Sequence, residues 1–520
     1  MNRYAVRPVT ARQLPAPSAF AQVRQRAAGA PTAAPRGVLR AKPPVAAQSD
    51  GSHPLADAAL TQALGRRARA IDSAFAAIEP TLKSLALAQF EDGFAERAAS
   101  RLGALLGVRL PADVLAADWD RPLDVPRLSA RLVVAIFAEL AAREFDRSLA
   151  RLADGEDAEA LIRRFGFHAI DITPCADGRL SGVVDYILRL PPAIVAYRTS
   201  CAGALFDVEQ ALNQWETVEL RRWREGVPNT ADAPTRYLKI GVYHRSSANP
   251  GTDGCAAHGS NDALAAGALL ARLTQFAQAV ERTHCCGASI ATLLIGVDTD
   301  TDAIRVHVPD AAGRIDTGRF LDNIQLYEQT RMLGRAAAKE AIRLAVAACA
   351  GVAPDDGPTE GIRWLCAYLL KNNIGQIDAV RAWHGGAYGD GGHAERLIIV
   401  GDPIDDVQLR NVAFQSQMDT VEEGAADLEV GIGLLRHRHE PLRRAVPVLV
   451  HCTYDARVPG AEERATQRAV RLRSAIEARY APLVAKGTLY VEAMVRPRGV
   501  AAFTAVPAVG CACDHPETAR

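Results

Sequence analysis

Residues 166–180 read GFHAIDITPCADGRL, an alternating stretch that ends in a cysteine, an aspartate and an arginine at every second position. Alternation of apolar and polar residues predicts a β-strand, which ends near Thr173. Cys175, Asp177 and Arg179 therefore follow a strand directly. A strand end that presents a thiol, a carboxylate and a guanidinium together is a candidate functional site, provided that other parts of the chain supply partners.

Similar strand-like runs occur further along the chain and alternate with helical stretches such as 262–283 and 328–350. This alternation predicts an α/β (α+β) fold. The other predicted strands are PAIVAYRTS at 192–200, RYLKIGVYH at 236–244, ATLLIGVDT at 291–299, ERLIIVGDP at 395–403, AVPVLVHCTYD at 445–455 and GTLYVEAMV at 487–495.

The composition changes along the chain and divides it into four predicted segments. Residues 1–54 have no acidic residue before Asp50 and are rich in Arg, Pro, Ala and Gln, which predicts a disordered basic tail. Residues 55–150 have apolar residues at three- and four-residue spacing, which predicts an all-helical domain. The mixed pattern that follows predicts two further domains, 151–395 and 396–520. The basic tail is either a passive linker or an arm that binds an acidic partner.

Overall composition excludes several classes of protein. The 520 residues carry 60 basic and 60 acidic side chains and no formal net charge, which argues against nucleic-acid binding. No apolar run approaches the ~18–20 residues of a membrane span. Ten scattered cysteines do not form a disulfide framework, so reduced thiols in a cytosolic setting are expected, and Cys and His must be considered as metal ligands.

A second predicted strand end supplies partners for Cys175. The run at 236–244 ends at His244, and the loop RSSANPGTDGCAAHGSND at 245–262 contains Cys255. Two thiolates and an imidazole are a suitable ligand set for Zn²⁺. Three protein ligands leave a fourth position open, as in catalytic zinc sites. Any one of these residues alone would more often be a buried thiol or a structural histidine.

The order of these motifs resembles the β-class carbonic anhydrases, in which Cys-x-Asp-x-Arg after one strand is followed by a strand that ends in His with a Cys nearby. The motifs here are CADGR, VAYRTSCAGA and VYHRSSANPGTDGC. One departure is the spacing, because ten residues separate His244 from Cys255 where ordinary members have two. The longer insert is similar to the carboxysomal branch of the class, and this resemblance extends over essentially the whole chain.

The resemblance implies a zinc-dependent lyase that interconverts CO₂ and bicarbonate. Cys175, His244 and Cys255 would hold one Zn²⁺ per chain, Asp177 would orient the reacting water, and Arg179 would keep Asp177 ionised and in position. It further implies a homodimer located in a bacterial carboxysome, where dehydration of bicarbonate supplies CO₂ to Rubisco. The tail would bind Rubisco or, alternatively, carboxysome shell proteins. Two alternatives are a non-catalytic scaffold with a structural zinc and a different hydrolase on the same fold.

The family pattern also predicts a degenerate second copy that lacks zinc. VPVLVHCTYDAR at 446–457 ends in Asp455 and Arg457, and alignment on this Asp-x-Arg pair places Thr453 where the first copy has Cys175. Threonine is a poor zinc ligand, so no metal is expected in this copy.

Other histidines and cysteines have less support. His258 is interpreted as structural at the start of a helix. His384 and His393 lie in a Gly-rich loop that can approach the site, and His437 and His439 are interpreted as a solvated basic face. The pairs Cys285–Cys286 and Cys511–Cys513 are not interpreted as ligands, because adjacent cysteines chelate poorly and the C-terminal pair has no partner pair.

Overall fold

Two β-sheets, one from each half of the chain, determine the arrangement of the other elements. The computed structural model describes residues 52–507 except 95–96, 99, 101, 104–122, 154–157, 284–288, 354–360 and 405. The predicted basic tail up to residue 51 and the four cysteines of the two discounted pairs lie outside the described residues. The strands are β1 Ala169–Pro174, β2 Val195–Arg198, β3 Arg236–Arg245, β4 Ser289–Asp298, β5 Ile304–His307, β6 Leu321–Asp322, β7 Leu397–Gly401, β8 Ala413–Gln417, β9 Val446–Tyr454, β10 Leu489–Pro497 and β11 Thr504–Ala505.

The two sheets share one topology. The first has the order β2-β1-β3-β4-β5-β6 and the second has the order β11-β10-β9-β7-β8. Within the first sheet, β2, β1, β3 and β4 are parallel, and β5 pairs with β4 antiparallel. In the second, β8, β7, β9 and β10 are parallel, and β11 pairs with β10 antiparallel. Strands β7 to β11 therefore repeat β1 to β5, and the expected second copy is present.

Twelve α-helices surround the sheets in the described part of the chain. They are α1 Ala58–Ala76, α2 Ile78–Ala88, α3 Val125–Ala153, α4 Ala158–Phe165, α5 Val208–Arg224, α6 Asp262–Thr283, α7 Asn323–Thr330, α8 Arg335–Ala350, α9 Gly361–His384, α10 Ala425–His439, α11 Ala461–Arg479 and α12 Ala481–Ala485.

These elements confirm the predicted α/β (α+β) class. The helical pattern at 328–350 contains the end of α7 and all of α8, because the chain leaves the helix before Gly334, whose extended backbone precedes the first residue of α8. Strand β8 was not predicted because its sequence, AFQSQ, is short and mostly polar. The apolar helix α6 is long enough to cross a membrane by length and composition, and in this fold it packs against β3 and β4.

The helical domain packs on the second sheet. One hydrophobic core combines residues of α1, α2 and α3 with residues of the second sheet, among them Phe75, Phe137, Ile399 and Leu449. A separate core fills the other side of this sheet and includes residues of α10 and α11. The second copy therefore has both faces covered, as parallel sheets require.

A buried arginine links the helical domain to the first half. Arg67 of α1 forms ion pairs with Asp185, at 2.6 Å, and with Glu144 of α3. It also donates a hydrogen bond to the carbonyl oxygen of Gln408 in the second half. Because the three charged side chains are almost fully buried, removal of one partner leaves charge in a medium that solvates it poorly.

We expect Arg67→Met to destabilise the protein by about 3–5 kcal/mol, since it leaves Asp185 and Glu144 buried without this cation. Chemical denaturation followed by tryptophan fluorescence measures the change. The exposed neighbour Arg66, changed to Met, is the matched control. Equal midpoints for the two variants would show that the buried ion pairs do not hold the helical domain in place.

Candidate metal centre

The predicted ligands come together at the carboxyl ends of β1 and β3. Pro174 is the register partner of Val242, and the backbone N–H of Cys175 donates to the carbonyl oxygen of Val242 at 3.0 Å. His244 lies two residues beyond Val242 on the neighbouring strand. One ligand atom from each of Cys175, His244 and Cys255 lies within 4.8 Å of the others, and all three side chains are buried.

The two thiols interact directly. Cys175 Sγ and Cys255 Sγ are 4.0 Å apart and form a hydrogen bond. This hydrogen bond, together with burial, raises the pKa of Cys175 well above its usual range, and the same hydrogen bond lowers the pKa of Cys255. The backbone N–H of Gly203 also donates to Cys175 Sγ, at 3.3 Å.

Asp177 and Arg179 form a bidentate ion pair beside these ligands. Arg179 Nε donates to Oδ1 of Asp177 and Nη2 donates to Oδ2, both at 2.9 Å. Burial disfavours the carboxylate, but Arg179 and His244 outweigh it and hold the pKa of Asp177 well below its usual range. Thr299 Oγ1 and the Gly391 carbonyl oxygen accept from Arg179 Nη1 and fix the guanidinium.

His244 is oriented by the same pair. Arg179 Nη2 lies 3.3 Å from Nδ1 of His244, and Nε2 of His244 lies 3.5 Å from Oδ2 of Asp177. Burial lowers the pKa of His244, whereas Asp177 and Cys175 raise it more, so the net pKa is above the usual value. Metal binding requires the neutral imidazole, so a cation at this site would compete with a proton.

A cleft of about 730 Å³ leads to Asp177 and Arg179 from the junction of the two halves. It is lined by polar side chains of both halves, including His393, Glu395 and Arg438. His393 Nδ1 is 3.1 Å from Oε1 of Glu395, and with Asp177 these two side chains form a second group with ligand-like spacing. His393 was predicted to be able to approach the site, whereas Glu395 has no sequence motif that would indicate it.

The other histidines lie elsewhere. His258 lies in a short 3₁₀ turn four residues before α6 rather than at the start of that helix. His384 packs against the ring of Tyr388. His437 is exposed at the cleft, but His439 is buried and its Nδ1 lies 3.1 Å from the carbonyl oxygen of Ala445. The prediction of a solvated basic face is therefore wrong for His439.

Backbone hydrogen bonds identify which residues of the second copy correspond to the ligands. The N–H of Asp402, directly after β7, donates to the carbonyl oxygen of His451 on β9, as Cys175 donates to Val242. Asp402 therefore corresponds to Cys175. Thr453, two residues beyond His451, corresponds to His244. The predicted correspondence of Thr453 to Cys175 is wrong, because the repeated Asp-x-Arg motif follows β9, the counterpart of β3.

The second copy has an ion pair where the first has ligands. Asp402 Oδ2 accepts from the N–H of Thr453 at 2.6 Å and from its hydroxyl at 3.0 Å. Arg468 of α11 donates to Oδ1 of Asp402 at 2.6 Å. Asp455 and Arg457 do pair with each other, but Arg457 is on the surface. Among the residues that the structure describes, no metal-capable group is drawn entirely from beyond residue 395.

The donor set of the first copy suits a soft or borderline cation. Two thiols and an imidazole with clustered ligand atoms fit Zn²⁺, and the carboxylate that could complete a closed tetrahedral site is held by Arg179 instead. The arrangement can thus bind a cation through three side chains, leave one position for a small molecule, and place a fixed carboxylate next to that position.

Comparison with known proteins covers almost the whole described chain. Three family models match, described as the N-terminal, catalytic-domain and C-terminal parts of the carboxysome shell carbonic anhydrase, over residues 53–145, 157–393 and 394–510 respectively. The catalytic-domain match contains all five predicted site residues.

Individual relatives carry the same description. The chain is 42% identical over 464 residues to the carboxysome shell carbonic anhydrase of Halothiobacillus neapolitanus, a match that covers 86% of this chain and 88% of the relative. It is 42% identical over 450 residues to that of Prochlorococcus marinus, with 86% and 87% covered. For Hydrogenovibrio crunogenus the identity is 39% over 425 residues, with 81% and 80% covered. The resemblance inferred from the motifs is thus confirmed, and the chain belongs to the carboxysome shell carbonic anhydrase family.

Proposed function

We propose that this chain is a zinc-dependent carbonic anhydrase of the carboxysome that interconverts CO₂ and bicarbonate. The observation that carries the proposal is the buried cluster of Cys175, His244 and Cys255 next to the Asp177–Arg179 pair. When bound there, zinc would supply the Lewis acidity that lowers the pKa of a water molecule towards neutrality. The side chains next to the cluster would orient the water molecule.

Asp177 would orient the reacting water. Both of its oxygens are occupied by Arg179, yet Oδ2 also faces Nε2 of His244 at 3.5 Å and so lies at the ligand cluster. A carboxylate held in this way accepts the hydrogen bond of the water and directs an oxygen lone pair towards the carbon of CO₂. Arg179 keeps Asp177 ionised and prevents it from turning into the position that the water needs.

A structural zinc in a non-catalytic scaffold is the main alternative. A structural site has four protein ligands and needs neither an ionised carboxylate beside it nor a cleft that leads to it. Here three ligands cluster, the carboxylate is retained by its own arginine, and Asp177 lines a cleft. These features favour catalysis.

We also propose the cellular role and the partners. Dehydration of bicarbonate inside the carboxysome would release CO₂ to Rubisco, and the basic tail 1–54 would tether the enzyme to Rubisco, with carboxysome shell proteins as the alternative partner. Several arginines must act together, since each exposed contact is weak and screened by salt. A homodimer of chains is expected. We further propose domains at 55–150, 151–395 and 396–520. The helices Ala58–Ala76, Ile78–Ala88 and Val125–Ala153 support the first of them as a helical domain.

Cys175→Ala should abolish CO₂ hydration, because it removes one metal ligand and the partner of Cys255. Stopped-flow measurement with a pH indicator gives the rate. Cys349→Ala, a free cysteine away from the cluster, is the matched control and should retain wild-type activity. A wild-type rate no higher than that of the Cys175 variant would disprove carbonic anhydrase activity at this site.

Purified protein should hold one zinc ion per chain. In the second copy Asp402 and Thr453 replace two ligands, and Arg468 already supplies the cation. Thr453→Cys should therefore leave the stoichiometry at one. Elemental analysis against protein concentration makes the measurement, and about two tightly held ions per wild-type chain would contradict the expectation.

Arg179→Lys should lower the rate of CO₂ hydration roughly 10–100-fold while zinc content stays unchanged. Lysine keeps the charge but cannot form the bidentate contact, so Asp177 becomes free to occupy the open position. Zinc analysis and stopped-flow rates on the same sample separate the two effects. Loss of zinc together with activity would assign Arg179 a role in holding the ligands instead.

Deletion of residues 1–50 should leave CO₂ hydration intact and abolish co-sedimentation with Rubisco at low salt. The cluster of Cys175, His244 and Cys255 lies entirely outside the deleted segment. A variant with the tail arginines changed to glutamine tests whether charge is the cause. Undiminished co-sedimentation of the truncated chain would show that another surface binds Rubisco.

A further inference from the structure

The edge strand β8 of the second half contacts the loop that carries Cys175. The N–H of Gln415 donates to the carbonyl oxygen of Ala176 at 2.9 Å, and the N–H of Gln417 donates to that of Ser200 at 3.2 Å. Ala176 is 1% exposed and belongs to the hydrophobic core of the second sheet. The segments that follow β1 and β2 are thus both attached to the second half.

One carboxylate lies between these two attachments. Asp427, in the first turn of α10, accepts a hydrogen bond at Oδ2 from the hydroxyl of Ser416 at 2.6 Å. The same oxygen accepts from the backbone N–H of Ala202 at 3.0 Å. Ala202 is the first residue of a short 3₁₀ turn, and the next residue, Gly203, donates its N–H to Cys175 Sγ at 3.3 Å. Asp427 is therefore one residue away from a hydrogen bond to a ligand sulfur.

This turn has a backbone conformation that needs support. Gly203 has a φ of 66°, and its neighbour Ala204 has a φ of 59°, in the left-handed region that a residue with a Cβ rarely adopts. A Cβ on Gly203 would lie 2.6 Å from Nε2 of His258, so the turn is also packed closely against the loop of Cys255. A contact at the start of the turn can thus decide whether the N–H of Gly203 faces the sulfur.

We propose that Asp427 is a positioning residue through which the second half of the chain controls the donor strength of the Cys175 sulfur. This inference rests on the proposed function. Asp427 anchors the Ala202–Ala204 turn, and the turn directs an N–H at the sulfur. A hydrogen bond to a ligating thiolate withdraws charge that the sulfur would otherwise give to the metal, which keeps the metal a stronger Lewis acid.

Two variants break the anchor from opposite sides in the full-length, metal-loaded protein. Asp427→Ala removes the acceptor. Ala202→Pro removes the donor N–H, and the extended backbone of Cys201 (φ −148°, ψ 155°) is compatible with a following proline. Asp427→Asn keeps an acceptor oxygen without the charge. Asp57→Ala also removes a carboxylate that accepts from a backbone N–H, that of Leu60 in the helical domain, and is the control.

Two measurements report on how strongly the Cys175 sulfur binds the metal. Zinc release to a chromophoric chelator should become about tenfold slower in Asp427→Ala and Ala202→Pro, because a sulfur without its hydrogen bond gives more charge to the metal and holds it more strongly. In the cobalt-substituted proteins, the sulfur-to-metal charge-transfer absorption should shift to lower energy, because a sulfur without its hydrogen bond is a stronger donor. Asp427→Asn should stay close to wild type in both measurements, and Asp57→Ala should be indistinguishable from it.

The outcomes separate this inference from the proposed function. Wild-type protein that binds no zinc and lacks activity would overturn the proposed function and, with it, this inference. Wild-type protein that is active, with release rates and absorption unchanged in Asp427→Ala and Ala202→Pro, would overturn this inference alone. If Asp427→Ala does not fold, the result for Ala202→Pro tests the inference instead, because this variant keeps the hydrogen bond between Ser416 and Asp427.

Discussion

The register between β1 and β3 is the constraint on which the site depends. Pro174 opposite Val242 places Cys175 beside His244, and both strands continue into loops that carry the remaining functional groups. A slip of one residue would turn every side chain of one strand to the opposite face of the sheet and would separate the sulfur from the imidazole. The register is in turn fixed by packing, because all six residues of β1 are buried and a slip would misplace side chains on both faces of the strand.

Charge pairing within the first half solves a conflict that the ligand set creates. Two thiols, an imidazole and a carboxylate in one buried cluster could together close around a cation and leave no position for substrate. In the proposed site Arg179 would prevent this, because it donates to both oxygens of Asp177 and is itself fixed by Thr299 and the backbone of Gly391. Arg179 thus joins three segments of the chain. Whether the fourth position of the proposed site stays open therefore depends on the fold and not on the ligands alone.

Side chains that follow strands were predictable, whereas backbone groups were not. Cys175, Asp177, Arg179, His244 and Cys255 have chemically distinctive side chains placed after predicted strands, so the sequence indicated them, and the structure brings them together. The N–H of Gly203 and the role of Ser416 could not be predicted, because a short polar strand and a backbone donor have no sequence signal. The correspondence of Thr453 to Cys175 was wrong for a related reason: an Asp-x-Arg pair can follow either of two strands, and only pairing between strands tells them apart.

The ion pair between Asp402 and Arg468 has an evolutionary consequence. Arg468 donates to Asp402 and also to Asp419, so a partly buried guanidinium provides the positive charge at the place where the first copy has its ligand cluster. A metal site in the second copy would need changes at Asp402, Thr453 and Arg468 together, because a metal cation and the guanidinium would repel each other at the same place. Single substitutions therefore do not convert the second copy into a metal site, whereas its hydrogen bonds to the loops of the first half stay in place.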